Sequence, residues 1–87
     1  MRGSELYRRY LDKLGAIAAR GTGTPGWEMQ VEAVVKQFHI ETMAMARPPF
    51  RALRDNLAAD LERRAASHPL PPSREVFALA ARLVRPL

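Results

Sequence analysis

The chain has 87 residues, 14 basic against 9 acidic side chains, 47% apolar residues and no cysteine. A chain this short is expected to form one domain that buries only roughly 60–65% of its unfolded surface, so a partner or second copy would add to its stability. Lacking cysteine, it has no disulfide framework, thiol nucleophile or thiolate-held metal centre. No apolar run approaches the ~20 residues of a membrane span, and no apolar segment reads as a signal peptide, which sets the expectation of a small cytoplasmic protein.

Proline and glycine divide the chain at Gly21–Gly26, at Arg47-Pro48-Pro49 and at His68–Ser73. Proline removes an amide donor and drives the preceding residue out of helical geometry, so each cluster marks a break. Four segments rich in Ala, Leu, Arg and Glu remain, all good helix formers. The expected helices cover about 4–20, 25–46, 49–67 and 73–85.

The first segment repeats Leu6, Tyr7, Tyr10, Leu11, Leu14, Ile17 and Ala18 at helical spacing. Ser4 fits an N-cap, and Gly21 a C-terminal stop. The second opens with Thr24 as N-cap and Pro25 at the first helical position. It carries two apolar faces. Trp27, Val31, Val34, Val35, Phe38 and Met45 form one; Met29, Ala33, Ile40, Met43 and Ala44, with Lys36 among them, form the other. Glu28, Glu32 and His39 separate the faces on one edge, and Gln30, Gln37 and Glu41 on the other. Either this helix is the central element, covered on both sides by its neighbours, or its Met-rich second face binds a partner helix or a second copy. Methionine adapts well to such contacts.

The third segment carries Phe50, Leu53, Leu57 and Leu61 as a narrow core stripe. The fourth takes Ser73 as N-cap, places Val76, Phe77, Ala80, Leu83, Val84 and Leu87 on one face, and ends at Pro86. Four amphipathic helices joined by short loops predict an all-α bundle. Their unequal lengths, about 30 Å for the second and under 20 Å for the fourth, suit a three-helix core with a short helix laid across it as well as a four-helix bundle. Leu70-Pro71-Pro72-Ser73-Arg74-Glu75-Val76 is similar to the stretch that opens the helix-turn-helix of GntR-type winged-helix regulators. The resemblance spans about ten residues, and no recognition helix follows within the sequence.

Chemistry-bearing motifs are sparse. His39 shares an edge with Glu28 and Glu32, but Glu32 lies two turns away, too far to chelate one ion with it alone. His39 and Met43, one turn apart, match soft Cu(I) no better than chance spacing does. His68 sits at the end of the third helix, where a cation suits the dipole. Ser4, Ser67 and Ser73 all fall at helix ends, where capping accounts for them. Gly21-Thr22-Gly23-Thr24-Pro25-Gly26 follows a helix and lacks the Lys-Ser/Thr ending of a phosphate loop, so it reads as a turn. These readings lead to no enzyme, no cofactor and no metal as the expectation.

The charge is uneven. Residues 1–46 carry six basic and five acidic groups, whereas residues 47–87 carry eight and four. Twelve of the 14 basic residues are arginine, which a GC-rich coding sequence alone produces. One-turn spacing predicts pairs Glu5–Arg9, Arg8–Asp12, Arg51–Asp55 and Asp60–Arg64. Arg47, Arg54, Arg63, Arg74, Arg82 and Arg85 are left without a local partner. Two functional expectations follow. The first is a non-catalytic helical interaction module, docking on a protein partner or on itself through Met29, Ala33, Ile40 and Met43. The alternative is a nucleic-acid-associated protein, a ribonucleoprotein subunit or DNA-binding accessory factor, using Arg47, Arg51, Arg54, Arg63, Arg74, Arg82 and Arg85 on phosphates.

Overall fold

A computed structural model describes residues 3–44 and 50–87. Met45 and Arg47 lie outside these residues, as do the expected end of the second helix at Ala46 and start of the third at Pro49. Across the described residues the protein is an all-α bundle of four helices: α1 (Gly3–Arg20), α2 (Trp27–Ala44), α3 (Phe50–Ser67) and α4 (Pro71–Val84). One cluster of buried side chains draws on all four, among them Leu6, Tyr10, Leu14, Val31, Phe38, Leu57, Leu61, Val76 and Val84.

α4, the shortest helix, packs against all three others, and most closely on α3. α2 rests mainly on α1 and α4. Of the two readings of α2, the central element covered on both sides is the one that this packing does not match. Small residues account for the place of α4: Ala80 and Ala81 on α4 are buried, as are Ala58 on α3 and Ala18 on α1. Where the facing side chains are small, helix axes approach closely, and a short helix can touch several neighbours. α2 offers Val31, Val35 and Phe38 to the core, with Tyr10 of α1 edge-on to Phe38 at 5.5 Å. Thr42 completes this buried row, and its hydroxyl donates back to the Phe38 carbonyl at 2.6 Å.

The α1–α2 pair is antiparallel and laced along one edge. Arg9 reaches Glu41 at 3.1 Å, Lys13 donates to Gln37 at 3.2 Å and Arg20 donates to Gln30 at 3.2 Å. Each step toward the end of α1 is matched by a step back along α2, as an antiparallel register requires. The edge residues Gln30, Gln37 and Glu41 thus hold α2 onto α1.

Three helix starts differ from the sequence expectation. α1 begins at Gly3, so Ser4 lies inside the helix. α2 begins at Trp27: Thr24, Pro25 and Gly26 instead make a turn closed by the Trp27 amide on the Thr24 carbonyl at 3.3 Å. Proline second and a glycine at φ 81° third are the residues such a type II turn demands. α4 begins at Pro71, two residues before Ser73. Proline in the first turn sacrifices no intrahelical bond, so Pro71 and Pro72 start the helix. Ser73 is buried and donates to the Ala18 carbonyl at 2.7 Å, a link to α1 in place of a cap.

Candidate docking face

The outward side of α2 carries the second apolar face in full view of solvent. Met29 is 72% exposed, Ile40 61% and Met43 62%, and Ala33, Lys36 and Ala44 are exposed beside them. Leu70 is the remaining large apolar side chain that is exposed among the described residues, so three of four fall on this face. The residue spacing is 29, 33, 36, 40, 43, alternating four and three. Such spacing keeps a narrow row on one side of a helix, about 21 Å from end to end. The buried row of α2 has the same spacing at Val31, Val35, Phe38 and Thr42. Two opposed seams on one helix are the structural form of the two apolar faces; α1 and α4 cover one, and no described residue covers the other.

The edges of α2 differ. Gln30, Gln37 and Glu41 are tied to α1, as above. On the other edge Glu28 and Glu32 are exposed, while His39 is half-buried with its ring stacked on Phe50 at 5.5 Å. His39 therefore faces an aromatic ring of α3. Among the described residues no three of His, Asp or Glu come together as a metal-ligand set.

The six described arginines of the seven do not form one patch of free charge. Arg54 pairs with Asp55 at 3.0 Å, Arg63 with Asp60 at 2.9 Å, and Arg85 with Glu62 and, at 3.9 Å, with Asp55. The reading of Arg54, Arg63 and Arg85 as lacking partners is corrected: an adjacent carboxylate, one three residues back and a cross-helix one reach them, where the four-residue spacing used for the expected pairs does not. The expected Arg51–Asp55 and Arg8–Asp12 pairs do not form, whereas Asp60 and Arg64 approach to 3.8 Å. Arg51, Arg74 and Arg82 are exposed and make no ion pair among the described residues.

Two grooves flank α3. One, of about 730 Å³, runs between α3 and α4 over Ala65, Ala66, Ala78 and Ala81, with Arg82 and Arg85 on its rim. The other, of about 440 Å³, lies beside Tyr7, Leu53 and Asn56. There the Tyr7 hydroxyl donates to Asp60 in a short hydrogen bond that links α1 to α3. Burial, then Asp60, pushes the Tyr7 hydroxyl up to about 12. The same hydrogen bond, with Arg63 and Arg64, holds the Asp60 carboxyl below its ordinary range against a smaller opposing effect of burial.

Sequence reasoning missed Tyr7–Asp60, Arg9–Glu41 and Ser73–Ala18, because residue spacing carries no signal for contacts between helices. His68 also differs from expectation: its Nδ1 accepts the Leu70 amide at 3.1 Å. Through this bond the ring shapes the α3–α4 turn. No helix among the described residues is long and apolar enough to cross a membrane. In comparisons with family models, curated proteins and solved structures, nothing matches this chain.

Proposed function

We propose that the protein is a non-catalytic helical interaction module that docks through the outward face of α2. The observation that supports this is the exposed row of Met29, Ile40 and Met43 on an otherwise well-packed helix. Covering one such side chain is worth about 1.5–3 kcal/mol, so leaving three in water forgoes a gain that a partner would recover. Met29 and Met43 add adaptability, since an unbranched thioether fits imprecise surfaces. The backbone beneath is held by the Arg9, Lys13 and Arg20 contacts to α1, so little ordering is needed on binding. The arginines rank second as a contact surface, because Arg54, Arg63 and Arg85 already have carboxylate partners.

Methionine oxidation reports the exposure of this face directly. Met29 and Met43 are expected to oxidise readily in dilute purified protein and to be protected inside intact native cells. An Ile40→Glu variant should lose the protection. Equal oxidation of Met29 and Met43 in both settings would overturn the docking reading.

A further inference from the structure

We infer that the occupant of the α2 face is a second copy of this chain, its α2 laid antiparallel on the first; this rests on the docking reading above. The four-three spacing of Met29, Ala33, Lys36, Ile40 and Met43 makes a narrow seam that a single facing helix can cover. Such a seam asks for another helix with the same spacing, and the chain carries one.

Lys36, at the centre of the seam, selects the direction. In a parallel, in-register pair the two Lys36 ammonium groups would meet in the seam, where like charges destabilise. Antiparallel pairing with Met29 against Ile40 of the other copy places each Lys36 against the other copy's Ala33. Alanine leaves room for the lysine stem, and Glu32, next to Ala33, is there to receive the ammonium. The arrangement is its own complement: Met29 on Ile40 at both ends, Lys36 on Ala33 twice, Lys36 beside Glu32 twice. That is what a two-fold interface requires.

Charge also permits the encounter. α2 carries Glu28, Glu32 and Glu41 against Lys36, while the basic excess belongs to residues 47–87. Two copies therefore meet through their least basic helix. In this register the paired stretch runs from Met29 to Ile40, about 16 Å, with Met43 beyond it, so the interface falls at the low end of size and the dimer is weak, with a Kd in the micromolar range or above.

Sedimentation equilibrium of the purified chain from about 10 to 500 µM tests the association. The expected result is a monomer–dimer equilibrium, with Ile40→Glu and Met29→Glu each weakening it at least tenfold. Both sites are exposed, so helix content by circular dichroism should stay at the parental level. The absence of native cysteine makes direction testable. Met29→Cys and Ile40→Cys variants, mixed and gently oxidised, should form the mixed disulfide in preference to either homodisulfide, because only antiparallel pairing brings these two positions together. Dominant homodisulfides would overturn the antiparallel arrangement. A parental chain that stays monomeric at 500 µM would overturn the second copy as occupant. If Met29 and Met43 were still protected inside intact native cells, the docking reading would stand with a different partner; if not, both would fall.

Discussion

The Tyr7–Asp60 hydrogen bond shows how much one side chain contributes when it joins two helices. It ties α1 to α3, a pair that shares fewer contacts than α3 and α4 do. Its linkage to pH has two arms. Asp60 has a depressed pKa, so its contribution is full above the ordinary value of 3.8 and is lost as pH falls through the folded value. Tyr7 has a raised pKa, so its contribution is full below pH 10 and is lost as pH climbs toward about 12. Tyr7→Phe is expected to lower stability at pH 7 by about 1 kcal/mol, the bond being partly exposed. Thermal melts at pH 7 and again below pH 3 should show that deficit shrinking in acid. A deficit that is the same at both would mean that the Asp60 charge adds nothing to the hydrogen bond. Other buried polar groups vary in how well they are matched. Thr42 and Ser73 both find carbonyls, whereas the Tyr10 hydroxyl is buried with no hydrogen bond at good geometry to a described atom. Burial, with the Glu41 carboxylate nearby, pushes that hydroxyl well above its ordinary value.

At the scale of the element, three glycines separate three physical effects. Gly21 ends α1 at φ 72°, its amide bonding back to Ile17 and Ala18, and a Cβ there would lie 3.2 Å from Pro72 Cβ. Gly26 has φ 81° in the turn before α2, but a Cβ would meet open space. Gly15 lies inside α1 with nothing nearby. Gly26→Ala should therefore cost about 1 kcal/mol for backbone strain, and Gly21→Ala more, because Pro72 must also move. Gly15→Ala should stabilise by up to about 1 kcal/mol, the helix-propensity difference. Urea denaturation of the three variants checks the order. If Gly21→Ala were no worse than Gly26→Ala, α4 would not be held against the α1 terminus. Gly21 was legible as a helix stop in the sequence, since glycine is the residue that leaves a helix at positive φ. The true starts of α2 and α4 were not. Thr24 and Ser73 are both good caps by type, and only the Pro25–Gly26 turn and the burial of Ser73 against Ala18 decide against them.

For the molecule as a whole, the formal charge of +5 overstates what is free to act. Arg54, Arg63 and Arg85 face carboxylates, which leaves Arg51, Arg74 and Arg82 among the described candidates. Three phosphate contacts would give a salt slope near −2.7, a loss of only about 40-fold in affinity between 50 and 200 mM salt. Mobility-shift titrations with duplex DNA at those two salt concentrations should show no more than this modest loss. A drop of a thousandfold or more would mean that the paired arginines leave their carboxylates to bind phosphate, and would favour the nucleic-acid reading. The paired carboxylates lie one residue away, across a turn or on a neighbouring helix. A search at four-residue spacing therefore left Arg54 and Arg63 without partners, and only the tertiary structure brings Glu62 to Arg85.

By itself, the sequence determined that the protein is all helical and roughly where each helix runs. Proline and glycine interrupt local hydrogen bonding wherever they stand, and apolar periodicity needs only neighbours three and four residues away. Leu6, Tyr10, Leu14, Leu57, Leu61 and Val76 were legible as core for the same reason. The two faces of α2 were also legible, but not which of them would be covered. That depends on which neighbours reach it, and α4, with its buried alanines, packs against all three other helices while one face of α2 stays uncovered. Tertiary packing alone therefore left Met29, Ile40 and Met43 in water and gave the protein the surface through which we propose it acts.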